Sequence, residues 1–460
     1  MKFSLRETTR LRKELGPDVC RFLEYGLNGI ERILPHVEVS WLYTKNGDWR
    51  YSTEPPIRRK VVWASKQRRK VNVTLEFRVG KDRYEIKGAV VRKSIPEGVG
   101  SVERTIDDRE RKICDTVVRT VSSLLVEIAT LDEESITGLI AGFDERVVSE
   151  VLLRRYNLGF SPGRIFGALH RLAGQTYENR PLTFGAIIAT DRIWALDTRV
   201  DFPDQYFERK KYRALSDGYY TGYLLSLDGQ VFGFVDLRAT GPRASGTHFF
   251  PEWCQGLARA SKRYGIGIGL TRNGDIVIVE RGSLRFTHRF GQWNHAHLLD
   301  LLHATARGQR VDPKEVAGVV RPIYRASLDA AFRRSGALFI ILGNVRKKPD
   351  IVRQGDAIGD TARSVLDSAL DVALDTPVQL LPRSVLVELA SLDGAVVIDK
   401  KGRILAYGAV LSPTKKGRTR TAEGSRTKAA IGASHYGMAI KVSSDGDITV
   451  YSKGREFITI

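Results

Sequence analysis

A chain of 460 residues with 42% hydrophobic and 27% charged residues is long enough for more than one core and has the balance of a globular protein. Its formal charge of +20 favours polyanionic partners such as nucleotides, nucleic acids or anionic lipids, and no apolar run approaches the roughly 18 residues of a membrane span. Three scattered cysteines, Cys20, Cys114 and Cys254, without CxxC spacing, exclude a disulfide framework and a thiolate zinc site.

The first sixteen residues alternate charged and apolar types without a hydrophobic centre or small-residue cleavage site, so no secretory signal is expected and the cytoplasm is the default location. A helix over roughly residues 9–34 precedes four short β runs, VEVSWLY, KVVWASK, KVNVTLEFRV and YEIKGAVV, separated by Asn-Gly, Pro-Pro and Gly-Lys turns. They predict a small antiparallel sheet. Within it, RRKVVWASKQRRKVNV (Arg58 to Val73) interleaves cations with strand formers. It is either a solvated sheet face or a basic surface for an anionic ligand or nucleic acid. Apolar residues at Ile106, Ile113, Val117, Val121, Leu124 and Ile128 then carry a helical period and close a first unit, 1–131.

A second unit, 132–311, opens with the helical DEESITGLIAGFDERVVSEVLLRRY and turns to strands at TFGAIIAT, YLLSLDG and VFGFVDL. From Tyr264 to Trp293, alternation around Asn-Gly and Arg-Gly predicts a meander. Gly265, Gly267 and Gly269 run straight into a strand, which argues against a phosphate loop at a helix start. The histidines at 288, 295, 297 and 303 lack zinc-ligand spacing and read as surface or packing residues. Aromatics at Tyr206, Phe207, Tyr212, Tyr219, Tyr220 and Tyr223 fill a core or line a small pocket. No repeat of fixed period is visible.

The third unit, 312–460, alternates helices with apolar strands: a helix over 316–335, the strand GALFIILG, the helix PRSVLVELASL and the hairpin DGAVVIDKKGRILAYGAVL. EGSRTKAA (Glu423 to Ala430) follows, and then GMAIKVSSDGDITVYSKG. The octapeptide suits phosphate, because Gly424 permits close backbone approach, Ser425 and Thr427 offer hydroxyls, and Arg426 and Lys428 supply charge at a helix start. Taken alone, it is equally a helix whose cap is Ser425, with incidental cations. Asp393-Gly394-Ala395 places a carboxylate beside small residues where a helix meets a strand.

In this order, the motifs Asp393-Gly394-Ala395, Gly424 to Ala430 and Val442-Ser443-Ser444-Asp445 resemble those of the diadenylate cyclase domain, the nucleotidyltransferase module of the DNA integrity scanning protein. The family pattern is a DGA motif, a Gly-Thr-Arg-His-Arg-Ala-Ala motif and a strand ending in Val-Ser-Glu-Glu. The resemblance covers roughly Val316 to Ile460 and implies an α/β chain (α+β overall). Its C-terminal cyclase-like domain would be a mixed sheet flanked by helices, preceded by two mixed α/β regulatory units. It further implies condensation of two ATP molecules into cyclic di-AMP with Mg²⁺ or Mn²⁺, carried out by two cyclase domains meeting face to face.

By the same resemblance, Asp393 meets the metal or the attacking ribose hydroxyl, with Gly394 and Ala395 forming the wall beside the nucleotide. Leu411 contacts adenine, Gly424, Ser425, Arg426, Thr427 and Lys428 hold phosphate, and Ser443 with Asp445 completes the floor. Three positions depart from the pattern. Thr427 stands where the family has histidine, Lys428 where it has arginine, and Ser444-Asp445 where it has two acids. Lys428 keeps charge without the bidentate fork, and Thr427 donates a hydrogen bond but carries no proton or charge. A catalytically silent nucleotide sensor, or a nucleic-acid-binding protein using the basic sheet, is the alternative class.

Overall fold

The computed structural model describes residues 15–34, 37–45, 48–50, 71–79, 82–92, 106–128, 131–190, 212, 215–238, 250–296, 313–359, 370–372, 374–413 and 424–459. Most of the basic stretch beginning at Arg58, together with Tyr206, Phe207, His297, His303 and Glu423, lies outside the described residues. Contacts divide the chain into two compact units, one of residues 1–94, 103–243 and 256–295, the other of residues 95–102, 244–255 and 296–460. Both are mixed α/β structures.

The first unit opens with helix α1 (Pro17–Ile33), begun by a proline that needs no amide partner there. Its buried face carries Phe22, Leu23, Leu27 and Ile30. Strands β1 (Val37–Lys45), β2 (Asp48–Arg50), β3 (Val71–Val79) and β4 (Asp82–Arg92) form an antiparallel sheet, ordered β2-β1-β4-β3, in which β2 is unforeseen in the sequence; the expected strand KVVWASK lies outside the described residues. Helix α2 (Asp108–Ile128) follows the predicted period. The helical stretch expected over 132–156 is two helices, α3 (Glu133–Ala141), capped by Asp132, and α4 (Phe143–Tyr156). Gly142, too unconstrained to continue the helix favourably, separates them. Phe143 packs edge-on against Phe22, ring centres 6.0 Å apart. Arg32 closes a fork on the carboxylate of Asp144 at 2.7 and 2.8 Å.

Helix α5 (Gly163–Ala173), unforeseen in the sequence, precedes a two-stranded ribbon of β5 (Thr176–Tyr177) and β6 (Arg180–Pro181). A seven-stranded sheet then uses β7 (Phe184–Ala189), β8 (Thr221–Leu225) and β9 (Val231–Asp236). After helix α6 (Gln255–Tyr264) come β10 (Gly265–Leu270), β11 (Ile276–Glu280), β12 (Ser283–Arg289) and β13 (Gln292–His295), the predicted meander. Their order is β13-β12-β11-β10-β7-β8-β9. Only β7 and β8 run parallel within it.

The second unit begins with α7 (Pro313–Phe332) and β14 (Ala337–Leu342) and continues through α8 (Arg383–Ser391), β15 (Ala395–Ile398) and β16 (Ile404–Ala409). It ends with α9 (Ser425–Ala433), β17 (Gly437–Val442), β18 (Ile448–Ser452) and β19 (Arg455–Thr459). The sheet runs β16-β15-β14-β17-β18-β19, with β14 and β15 parallel and each other neighbouring pair antiparallel. The parallel strands β14 and β15 are buried along their length, in keeping with their unbroken apolar runs. Arg383 of α8 holds the carboxylate of Asp329 on α7 and donates to the carbonyls of Phe250 and Arg325 at 2.9 and 3.0 Å. Asp329 also accepts from the Glu252 amide at 2.7 Å.

The two larger sheets repeat one winding. Reading β9-β8-β7-β10-β11-β12 against β16-β15-β14-β17-β18-β19, the order and the sense of every pairing agree. The register agrees as well. Gly265 lies opposite Ala189 as Gly437 lies opposite Leu342, and Ala186 beside Tyr223 as Phe339 beside Val396. Bulges fall at the same place, between Ile278 and Val279 and between Val450 and Tyr451.

Even the turn bonds recur. Thr271 N donates to Asp275 O at 2.9 Å and Gly274 N to Thr271 O at 3.0 Å; Ser443 N donates to Asp447 O at 2.9 Å and Gly446 N to Ser443 O at 2.9 Å. Ser226 Oγ accepts two amides in the β8–β9 turn just as Asp399 Oδ1 does between β15 and β16. An ungapped alignment of residues 261–287 with 433–459 pairs identical residues at Tyr264, Gly265, Ile268, Gly274, Asp275, Ile276, Gly282 and Thr287. The chain therefore holds an internal repeat. It has no fixed period because the connection from β14 to β15 is longer than that from β7 to β8.

Candidate functional site

Strand directions bring the expected residues to one end of the second unit's sheet. Parallel β14 and β15 begin there, since Phe339 sits beside Val396, and antiparallel β16 and β17 finish there, since Ala395 faces Ala409 and Ala337 faces Val442. Asp393-Gly394-Ala395 leads into β15, Leu411 follows β16, and Ser443 and Asp445 follow β17. Gly394 has φ of +120°, and a Cβ there would stand 2.4 Å from the carbonyl carbon of Gly408. Only glycine allows the two backbones to pass so closely. Ala395 is buried, whereas Asp393 projects fully into solvent.

Helix α9 supplies the cations. Its cap is Gly424, in extended conformation, and no side chain caps it among the described residues. Ser425 is the first helical residue, which corrects the reading of it as the capping side chain. The first amides and the positive end of the helix dipole remain turned to an incoming anion. Arg426 lies against Gly336, immediately before β14, with Nη2 3.7 Å from Asp393 Oδ1. Ser425 and Lys428 are exposed. Thr427 Oγ1 accepts a hydrogen bond from Lys441 Nζ at 3.0 Å.

Lys441 and Gly336 escaped the sequence reading. A lone lysine amid the apolar residues of GMAIKV was the available signal for the first; Gly336 has none, because its neighbour Arg426 is distant in sequence. Ser443 and Asp445 form the β17–β18 turn, where Asp445 N donates to Ser443 Oγ at 3.2 Å. Leu411 bridges to Val352 and packs partly on the core, presenting an apolar surface beside the sheet end.

Among the described residues no group of three His, Cys, Asp or Glu is placed to hold a metal ion. An exposed carboxylate still fits Mg²⁺ or Mn²⁺ arriving with a nucleotide, because Mg²⁺ commonly takes one or two protein carboxylates, substrate phosphates and water. Asp393 offers such a carboxylate. The matching place in the repeat does not. Register puts Tyr220 where the second unit has Asp393, and the lead into α6 reads Glu252-Trp253-Cys254-Gln255, without hydroxyls beside cations.

The second unit is thus a mixed α/β domain whose sheet end gathers two carboxylates, three hydroxyls and three cations. Residues 325–456 match the family model DAC, described as "DisA bacterial checkpoint controller nucleotide-binding", and this stretch is a domain of that diadenylate cyclase family. No curated protein matches the chain.

Two solved structures are similar to parts of it. One is described as a hypothetical membrane spanning protein from Bacillus cereus, 20% identical over 35% of this chain and 77% of that one, with a TM-score of 0.24. The other is a double cysteine mutant of DacA from Staphylococcus aureus, 21% identical over 32% of this chain and 89% of that one, with a TM-score of 0.21. No helix among the described residues is long and apolar enough to cross a membrane.

Proposed function

We propose that the C-terminal domain is a diadenylate cyclase joining two ATP molecules into cyclic di-AMP. Each ribose 3′-hydroxyl attacks the α-phosphorus of the other nucleotide; two P–O bonds form, two α–β bonds break, and two pyrophosphates leave. The observation that supports this reading most is the Asp393–Arg426 juxtaposition, at 3.7 Å, inside a segment matched by the DAC family model.

Asp393 approaches the attacking hydroxyl and, together with substrate phosphate, would hold Mg²⁺ or Mn²⁺, which when bound neutralises phosphate charge. Arg426, Lys428 and the α9 amides hold the triphosphate, while Lys441 restores beside Thr427 the positive charge that a family histidine could carry. Leu411 and Ala395 border the base and sugar, and Ser443 with Asp445 closes the floor. Because one chain bears these groups once among its described residues, two chains must bring their cyclase domains face to face for reaction.

Residues 1–131 and 132–311 act as sensor units that regulate the domain at 312–460, in the cytoplasm. The basic stretch from Arg58 serves an anionic ligand or nucleic acid. Calorimetric titration of ATP in the presence of Mg²⁺ tests the site: one ATP per chain is expected, lost in Arg426→Ala. Undiminished binding by that variant contradicts it. One ATP bound tightly with no cyclic product under any divalent metal identifies the silent sensor instead.

A further inference from the structure

A cavity of about 320 Å³ opens inside the first unit, between α2, α4 and the strands β11 to β13. Six cations line it: Arg109, Lys112 and Arg119 from α2, Arg154 and Arg155 from α4, and Arg285 from β12. The three on α2 are spaced to share one helical face, and the α4 pair ends its helix. Two carboxylates, Asp115 and Glu280, answer them.

Glu280 is already engaged. It is 1% exposed and lies 3.1 Å from an Arg155 nitrogen and 4.0 Å from Arg285 Nε. Arg285 Nε is itself buried without a hydrogen-bond acceptor among the described residues. Burial, with Arg109 and Arg155 adding to it, lowers the guanidinium of Arg285 to about 10 against the pull of Glu280. Positive charge is therefore gathered in excess and partly out of water, a cost that an incoming anion relieves.

A solvated helix face would account for Lys112 or Arg119 alone. It does not account for cations converging from three elements on one concavity, with Arg285 among them only 17% exposed. The concavity is also too small for a duplex, being about the size of a compact ligand site. Ile113, Val151 and Phe286 supply its apolar wall.

We propose that this cavity binds a small polyanion whose phosphate or carboxylate oxygens take the arginine forks. None of its lining residues belongs to the cyclase motifs or to the basic stretch from Arg58, so it holds whether or not the chain makes cyclic di-AMP.

The test uses the full chain, with calorimetric titration of pyrophosphate and of citrate against sodium chloride of equal ionic strength. At least one probe should bind, and the tighter of the two names phosphate or carboxylate as the preferred group. Replacing exposed Arg119 and Arg154 together by serine should weaken binding roughly tenfold or more, as expected when charge-assisted hydrogen bonds are lost. If the serine pair does not fold, Arg119→Lys with Arg154→Lys, which keeps charge but loses the forks, should bind severalfold more weakly. Absence of binding beyond the chloride control, or unchanged affinity in the folded pair tested, overturns the proposal.

Discussion

Gly336→Ala separates the position of Arg426 from its presence. A Cβ at residue 336 would lie 2.0 Å from Arg426 Nη1 and 3.0 Å from its Cζ. Ordinary carbon contacts begin near 3.5 Å, so the guanidinium must retreat by about 1.5 Å. What moves is the end of a flexible side chain; the next neighbour, the Val442 carbonyl, stands at an ordinary 3.6 Å. Stability should change by less than about 1 kcal/mol, since the alanine also restricts the unfolded chain. Turnover should suffer far more, because a misplacement of about 1 Å in a reacting constellation costs on the order of 10²-fold. Thermal melts together with chromatographic measurement of cyclic di-AMP formed from ATP decide it. Full turnover by a folded Gly336→Ala protein would refute the claim that Arg426 works from its seat against Gly336.

Three further outcomes follow from the same packing. Gly394→Ala should fail to fold the second unit or lose about 2–4 kcal/mol, since its Cβ would enter the Gly408 backbone at φ of +120°; a normal melt contradicts this. Arg383→Ala strands the 3%-exposed Asp329 and should cost about 3–5 kcal/mol in denaturant unfolding, whereas an unchanged midpoint shows that the pair contributes little. Burial, reinforced by His170 beside it, holds the His288 imidazole at about 4, below its ordinary 6.5. The unfolded chain therefore takes up that proton first, and stability is complete above pH 6.5 and declines as pH falls towards 4. His288→Phe should flatten that decline in melts recorded across the window, and an equal slope in both proteins contradicts the assignment.

Much of the fold was legible because alternation and turn residues act locally. The meander from Tyr264 and the hairpin from Asp393 emerged where Asn-Gly, Arg-Gly and Lys-Gly pairs punctuate apolar strands. Helix α5 did not, since GRIFGALHRLA is short and carries glycine within it. The repeat escaped because its identities gather at turns and at the β10 and β17 starts, while unequal connections break the spacing. In the site, the three motifs could be read along the chain. The seat of Arg426 against Gly336 and the Lys441–Thr427 bond required the fold, because each joins residues from different elements.

The most direct test of the central claim is the reaction itself. The full chain is incubated with ATP and Mn²⁺, with chromatographic detection of product, beside Asp393→Asn, whose exposed side chain leaves stability within about 0.5 kcal/mol. Cyclic di-AMP and pyrophosphate are expected from the native protein and none from the variant. No product from the folded native chain, or equal product from both proteins, would contradict it.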